Sequence, residues 1–356
     1  MKPSPRPRGE ERPVPHPAPL GCLAPPRGRS ATDTTPIPRR LPVADIALAR
    51  PAAATPESGS AWARFRSSRG WLGFWFMLPA AAILLLFLAY PLGKGIWLSV
   101  TDTRIGRGGS FVGLENYEWL WDDSVFWLSV FNTLLYTVIA SIAKFGIGLY
   151  LALLLNKRLP CKALIRSIVL IPWVVPTVLS ALAFWWIFDS QFSIISWSLR
   201  RLGLISTNID FLGDPTMARI CVTFANIWRG VPFIAITLLA GLQTVSPSLY
   251  EAASIDGATP WQNFRHITLP LLTPIIAVVM TFSVLFTFTD FQLIWAMTRG
   301  GPVNSTHLMA TLSYQRGILS GNLGEGAAIA TAMVPFLILA IGISWFGLQN
   351  RKWQSG

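Results

Sequence analysis

The chain has 356 residues, of which 52% are hydrophobic and only 13% are charged. Soluble domains carry about a quarter charged residues, so this composition excludes an ordinary soluble enzyme and indicates a membrane protein. The formal net charge of +12 does not indicate nucleic-acid binding, because the basic residues do not cluster on one aromatic-interleaved element.

The cysteines and histidines are too scattered for a metal or catalytic centre. Cys22, Cys161 and Cys221 match no metal-ligand spacing and no disulfide framework. The chain has three histidines, and outside the polar insert described below none lies near a pair of carboxylates. The sequence therefore predicts no catalytic residue, no metal site and no cofactor bound by this chain.

Residues 1–70 form a segment of different composition. They are rich in Pro, Arg, Ala, Ser and Thr, hold 12 of the 29 basic residues and show no periodic apolar pattern. Such a composition predicts a disordered tail. The first apolar run begins near Trp71, too late and too long for a signal peptide. A translation start assigned too far upstream is an alternative origin of this segment.

Residues 71–350 contain six long apolar segments. A window of about 19 residues places them at roughly 71–100, 125–155, 167–188, 217–242, 269–297 and 327–348. Each is long enough to cross about 30 Å of hydrocarbon at about 1.5 Å per residue. The fold class predicted is therefore an all-α polytopic membrane protein with six transmembrane helices.

The distribution of basic residues near the membrane predicts the orientation. With the N-terminus inside, ten Lys and Arg residues lie on the cytoplasmic side and six on the other: Arg64, Arg66, Arg69, Lys157, Arg158, Lys162, Arg166, Arg265, Arg351 and Lys352 against Arg104, Arg107, Arg200, Arg201, Arg299 and Arg316. The excess predicts that both termini are cytoplasmic.

A polar insert, residues 246–269, separates the fourth and fifth apolar segments. Ser246 followed by Pro247 predicts the start of a short helix, and Gly257 predicts its left-handed end. Thr259, Pro260 and Gln262 predict a capping box that opens a second helix. The insert is thus predicted to be two cytoplasmic helices about a glycine corner, the second running into the fifth span.

Two roles for the insert are open on local grounds. Helices below about 12 to 15 residues are marginal in water, so another surface must cover these. The helix pair either rests on its own membrane domain or docks on another protein. In the docked case Tyr250, Trp261 and Phe264 fill an apolar cleft, and Glu251 and Asp256 meet basic groups.

The insert resembles a known family. "EAASIDGATPWQNFRHITLP" is similar to the EAA loop of permease subunits of binding-protein-dependent ABC importers, with matches at Glu251, Ala252, Ala253, Asp256, Gly257, Ala258, Phe264, Ile267, Leu269 and Pro270. "FVGLENYEWLW", "LIPWVVPTV" and "FTDFQLIWAMTRGGPVNST" resemble the carbohydrate-uptake branch, of the maltose and glycerol-3-phosphate type. The resemblance covers roughly residues 71–350.

The resemblance implies a set of partners and a location. The insert becomes the coupling loop, seated through Glu251, Ala252, Ala253, Asp256, Gly257 and Phe264 in one of two separate ATPase subunits. No G-x-x-x-x-G-K-[ST] sequence occurs in this chain, so ATP and Mg²⁺ are expected on those subunits. A second permease subunit, a solute-binding protein, a sugar substrate and the lipid of a bacterial inner membrane complete the assembly.

Candidate solute contacts are polar or aromatic side chains within the spans. The resemblance points to Phe288, Asp290, Phe291 and Gln292, and Asp290 is the one acid well inside a predicted span. Asp290 also lies near the outer end of that span, where it is alternatively solvated or caps a neighbouring helix. Further candidates in the fourth span are Asn226 and Trp228, which alternatively belong to a packing kink.

Lys144 is a further ionisable residue inside a span. At about 1.5 Å per residue, it lies about 16 Å from the cytoplasmic end of its helix, and Asp290 lies about 31 Å from that face. We therefore expect no pairing between them. Lys144 is expected to face a polar cavity on the solute pathway, or an acceptor from another subunit, rather than lipid.

Three rival classes remain. A secondary transporter needs no cytoplasmic coupling element, and a membrane enzyme needs a cluster of acidic or histidine side chains at one membrane face. An importer of another solute, such as a polyamine or phosphate, shares the coupling loop and differs only in the solute.

Overall fold

The computed structural model describes residues 69–157 and 160–349 and, within that range, is helical. Two isolated antiparallel bridges, Thr101 to Phe111 and Arg104 to Arg107, are the extended pairings found there. The described residues from Gly73 to Gln349 group as one compact unit. The tail predicted at 1–70 lies, but for its last two residues, outside the described residues.

The helices follow one another along the described chain. They span Arg69–Leu84, Tyr90–Ser99, Glu115–Asp122, Ser124–Asn156, Lys162–Val174, Thr177–Phe188, Ile194–Arg201, Pro215–Leu242, Pro247–Ile255, Pro260–Asn263, Leu269–Phe288, Phe291–Met297, Met309–Tyr314 and Leu323–Gln349. Three π-helical turns, Leu85–Ala89, Phe264–Thr268 and Gln315–Leu319, join neighbouring helices.

Five helical segments are long and apolar enough to cross a membrane: Gly73–Ser99, Ser124–Asn156, Pro215–Leu242, Pro260–Phe288 and Leu323–Ile343. We call them the first, second, fourth, fifth and sixth spans. The bent pair Lys162–Val174 and Thr177–Phe188 is the third span if it is counted as one, and the total is then six. The all-helical class and the five or six spans therefore agree with the prediction.

The first span presents apolar side chains outward along its whole length. Phe76 is 83% exposed and Phe87 is 71% exposed, as suits a helix whose solvent is hydrocarbon. Its π-helical turn lies just before Pro91, which lacks an N–H donor and clashes with the carbonyl four residues earlier. The irregular turn is therefore explained by the proline.

The second and fourth spans pack most closely. Gly148 allows the approach, because a Cβ atom there would lie 2.7 Å from Cγ2 of Ile234. Ala152, on the same face one turn later, is fully buried. The close contact of small residues is how apolar helices associate without a hydrophobic driving force.

The third predicted span is not one straight helix. Residues 167–188 were expected to cross as a single segment, but two helices meet at Val175 and Pro176 with a bend of 88°. Val175 is extended, the conformation that a following proline favours. A hydropathy window measures the hydrophobicity and length of a segment, and a break of two residues alters neither.

The fifth predicted span, 269–297, is also shorter at its C-terminal end. The helix stops at Phe288, and Asp290 caps a separate helix, Phe291–Met297. At its other end the span extends back to Pro260, into the polar insert. Asp290 therefore lies at a helix junction rather than well inside a span.

The segment after Phe291–Met297 folds back into the protein. His307 is 2% exposed, and the Asn132 amide donates to its carbonyl at 3.2 Å. Gly300 at φ +88° leaves room for the imidazole, with which a Cβ would collide. Burial lowers the pKa of His307 to about 4, and the positive Arg316 adds to the effect. His307 is therefore neutral at pH 7.

Candidate functional site

The polar insert has the corner that its glycine predicts. Gly257 has φ +79°. The Ala258 N–H donates to the Ala253 carbonyl at 2.9 Å, and the Gly257 N–H donates to that of Ser254 at 3.2 Å. This is a Schellman ending, which satisfies the last carbonyls of the first helix. Ala253 and Ala258 are both half-buried at the corner.

The second helix of the insert begins with the predicted capping box. The Gln262 N–H donates to the Thr259 hydroxyl, and the Gln262 side chain accepts from the Thr259 N–H at 2.7 Å. The helical path then continues through the π-helical turn Phe264–Thr268 into the membrane, so that Pro260–Phe288 is one span of 29 residues. The insert is thus attached to the fifth span without a flexible joint.

The outer surface of the insert carries free charges and apolar side chains. Glu251, Ala252 and Asp256 are exposed. Trp261 is 66% exposed and stacks on Phe264 with ring centroids 5.5 Å apart. Ile255 is 87% exposed. A soluble loop resting on its own domain would cover such a surface.

Tyr250 does not project from the insert as predicted for the docked case. Its hydroxyl lies 2.9 Å from that of Thr268, and the side chain is half-buried. It joins the two helices of the insert. A concave cleft of about 310 Å³ lies in the elbow, lined by Ala253, Asp256, Gly257, Ala258, Gln262, Asn263, His266 and Ile267.

A second polar group lies inside the membrane-spanning bundle. Asp290 Oδ2 accepts hydrogen bonds from the Tyr136 hydroxyl and from Asn226 Nδ2, each at 2.8 Å. Lys144 Nζ donates to Asn226 Oδ1 at 2.9 Å and to the Thr287 hydroxyl at 2.6 Å. These five residues, the buried polar network, join the second, fourth and fifth spans, and each of them is at most 9% exposed.

The expectation for Lys144 needs correction. Among the described residues no ion pair joins it directly to Asp290, as expected, but one amide, Asn226, bridges the two. Two of the three N–H donors of Lys144 bond to acceptors of its own chain, Asn226 and Thr287, and the expected acceptor from another subunit stays a prediction. The depth estimate counted residues from Leu269 and Asn156 as if both lay at the same membrane face, whereas the hydrogen bonds of Asn226 bring Lys144 and Asp290 to the same side chain.

The other predicted solute contacts lie in different surroundings. Phe288 is 4% exposed in an apolar cluster, and its ring lies tilted against that of Phe336 with centroids 6.0 Å apart. Phe291 is half-buried and stacks on Trp295 at 5.7 Å. Gln292 is exposed, and Trp228 is 38% exposed. Phe288 is thus enclosed by protein, whereas Gln292 and Trp228 are open to another molecule.

Sequence reasoning missed two members of the buried polar network, Tyr136 and Thr287. Tyr136 lies eight residues before Lys144, on the same helical face, and this spacing was a usable signal. Thr287 precedes Asp290 by three residues, but a threonine in a membrane helix commonly bonds to its own backbone. The hydrogen bond from Lys144 to Thr287 could not be predicted from this spacing, because it depends on how the spans pack.

Comparisons with known proteins agree with this architecture. Residues 144–355 match the model of the family described as binding-protein-dependent transport system inner membrane component. The trehalose/maltose transport system permease protein MalF of Thermococcus litoralis is 35% identical over 73% of this chain and 87% of its own. The sulfoquinovosyl glycerol transport system permease protein SmoG of Agrobacterium fabrum is 36% identical over 72% of this chain and 83% of its own.

A solved structure shares the fold. The chain is similar to a subunit of a bacterial ABC transporter involved in the import of the acidic polysaccharide alginate, with a TM-score of 0.68 at 23% identity, over 83% of this chain and 99% of that one. The family match covers more than half of the chain, including the insert and the fifth span. This multi-pass membrane protein therefore belongs to the family of inner-membrane components of binding-protein-dependent ABC transport systems.

Proposed function

We propose that the chain is a permease subunit that passes a sugar or sugar-like solute from a binding protein to the cytoplasm. The names of its relatives support this: a trehalose/maltose permease, a sulfoquinovosyl glycerol permease and, at 29% identity, an sn-glycerol-3-phosphate permease of Yersinia pestis. Two of those solutes are glycosides and the third is a polyol phosphate. A polyamine or inorganic phosphate is the alternative solute.

The polar insert is the coupling element in this proposal. The observation that carries it is the unbroken helical path from the exposed insert into the fifth span, Pro260–Phe288. A force applied to Trp261 and Phe264 reaches the membrane without passing through a loop. Glu251 and Asp256 supply the negative charge that basic groups of an ATPase subunit would meet.

ATP hydrolysis then takes place on two separate subunits, which bind ATP and Mg²⁺. Closure of those subunits draws the seated inserts together and tilts the spans, so that the pathway alternates between inward-open and outward-open states. This chain contributes the polar insert and the residues on one side of the solute pathway. A second permease subunit forms a heterodimer with this chain and contributes the residues on the other side of the pathway.

The orientation proposed is that of a bacterial inner-membrane protein with both termini in the cytoplasm. The excess of basic residues on the insert side supports it. The fold-back segment with His307 then faces outside, toward the binding protein. Of the residues predicted to contact the solute, Gln292, Phe291 and Trp228 have exposed or half-buried side chains that are available to it.

The direct test uses the complete importer in proteoliposomes with ATP supplied to the ATPase side. Uptake of labelled disaccharides, polyols and polyol phosphates is compared with uptake of polyamines and inorganic phosphate. We expect uptake of one class of sugar or polyol and no uptake of polyamines or inorganic phosphate. Uptake of only a polyamine or phosphate would replace the sugar proposal with the alternative solute. Thiol labelling of Ser254→Cys from inside and of Ser110→Cys from outside checks the orientation.

A further inference from the structure

The carboxylate oxygens of Asp290 accept hydrogen bonds from groups of the same chain. Oδ2 accepts two hydrogen bonds, from Tyr136 and Asn226, and Oδ1 accepts the Leu293 N–H at 3.3 Å. The residue is 9% exposed. A carboxylate has about four acceptor positions, so three are filled and little of the group is accessible. Asp290 is therefore poorly placed to bind a sugar directly.

Asn226 has a fixed orientation in the buried polar network. Its oxygen faces the Lys144 ammonium and its amide nitrogen faces the Asp290 carboxylate. A flipped amide would set oxygen against carboxylate and nitrogen against ammonium, losing both bonds. Asn226 thus transmits the position of Lys144 to Asp290, although the two charges do not touch.

The fourth span provides the space for Lys144. Gly230, four residues after Asn226, lies against the lysine stem, and a Cβ atom there would collide with Cδ of Lys144. The ammonium is thereby directed to Thr287, one residue before the fifth span ends at Phe288. The buried polar network therefore holds both sides of the junction between the fifth span and the next helix, at Thr287 and at Asp290.

The helix that follows the junction carries the exposed side chain. Asp290 caps Phe291–Met297, and Gln292 is the second residue of that helix. A capping carboxylate stabilises the first turn and fixes its entry angle. Movement of Asp290 would therefore displace Gln292, which lies two residues away.

We propose that Lys144, Asn226 and Tyr136 are positioning residues, which hold Asp290 as the cap of helix Phe291–Met297 and so place Gln292 for the solute. The inference rests on the proposed function, since it takes Gln292 to face the solute pathway. Asp290 is on this account a structural anchor and not a sugar ligand. The two charges act as a unit, because either one alone is left without its partner in an apolar interior.

A double-mutant cycle in the reconstituted importer tests the inference. Lys144→Met and Asp290→Asn are each expected to raise the solute KM about tenfold, whereas the double variant returns to within about threefold of the parent, because no lone charge remains. Vmax changes less than KM. Tyr136→Phe, a milder change, is expected to raise KM about threefold through the loss of one hydrogen bond.

A second readout follows the helix itself. With Cys22, Cys161 and Cys221 replaced by serine, the labelling rate of Gln292→Cys by an aqueous thiol reagent is expected to change in each single variant and to recover in the double variant. Lys144→Arg retains the charge and is expected to label at a rate closer to that of the parent than Lys144→Met does.

Three results would overturn the inference. In the first, the KM effects of Lys144→Met and Asp290→Asn multiply in the double variant. In the second, Tyr136→Phe and Lys144→Met leave both KM and labelling unchanged. In the third, Asp290→Asn raises KM while the labelling rate at position 292 stays constant, which would show that Asp290 binds the solute directly. A parent importer that transports polyamine or phosphate refutes the sugar proposal alone, because the same cycle can be measured with that solute.

Discussion

The polar insert and the buried polar network are built from similar residue types and differ in the range of their contacts. In the insert, Thr259 bonds to Gln262 and Ala258 to Ala253, over three and five residues. In the network, Tyr136 and Asp290 are 154 residues apart and Lys144 and Thr287 are 143 apart. The insert takes its shape from neighbours in sequence, and the network from the packing of three spans.

The two regions also differ in what covers them. The insert leaves Glu251, Ile255 and Trp261 exposed, whereas the network residues are nearly inaccessible. Uncompensated polar groups cost little in water and several kcal/mol in hydrocarbon. A change in the insert should therefore alter partner binding with little loss of stability, and a change in the network should do the reverse.

The largest stability effect is expected from Gly230→Ala in the network. The new methyl group would displace the Lys144 side chain and break its charge-assisted bonds to Asn226 and Thr287. We expect a loss of about 3 kcal/mol in the free energy of unfolding, as for a buried charge deprived of its partners. Thermal unfolding in detergent measures it, with Gly146→Ala as control because a Cβ at Gly146 meets no atom within 4 Å. Equal midpoints for the two variants would contradict the account.

A smaller effect is expected from Gly257→Val at the corner of the insert. A β-branched residue at φ +79° is strained by about 1 to 2 kcal/mol. The strain should open the corner and reduce ATP-driven uptake more than it lowers the unfolding temperature of the membrane domain. Ala258→Val, at the next position, is the control for added volume. Unimpaired uptake by Gly257→Val would show that the corner geometry is dispensable.

The capping box at Thr259 should contribute less. Thr259→Ala removes the hydroxyl that accepts the Gln262 N–H, at a cost of about 1 kcal/mol. Hydrogen exchange of the amides at 260–263 should accelerate, while exchange in the second and fourth spans stays constant. Thr259→Ser, which keeps the cap, is expected to behave as the parent. Faster exchange in both regions would mean that the insert and the bundle unfold together.

The effect of His307 on folding stability is expected only below neutral pH. Because burial lowers the pKa of His307 from 6.5 to about 4, the protein resists its protonation. Folding stability is therefore complete above about pH 6.5 and declines as the pH falls toward 4, where the unfolded chain takes up the proton more readily. Unfolding temperatures of His307→Gln should decline less steeply with acid than those of the parent. Equal slopes for His307→Gln and the parent would contradict this expectation.

The same difference in contact range explains how far sequence reasoning reached. Caps, corners and apolar length are local, so the insert at 246–269 and the five long spans were predictable. The break at Val175 and Pro176 and the end of the fifth span at Phe288 were not, because both lie inside continuous apolar runs. Nor was the Lys144 to Asn226 bond, which requires the relative depth of two helices.

The account depends most on the coupling role of the insert, and charge reversal at Glu251 tests it most directly. Glu251→Arg and Glu118→Arg make the same change on two exposed residues, one on the insert and one on the short helix Glu115–Asp122. In the assembled importer, ATP-driven uptake should fall about 100-fold for Glu251→Arg, as for reversal of a charge at a docked surface, and by less than about twofold for Glu118→Arg. Normal uptake by an assembled Glu251→Arg importer would contradict the coupling role.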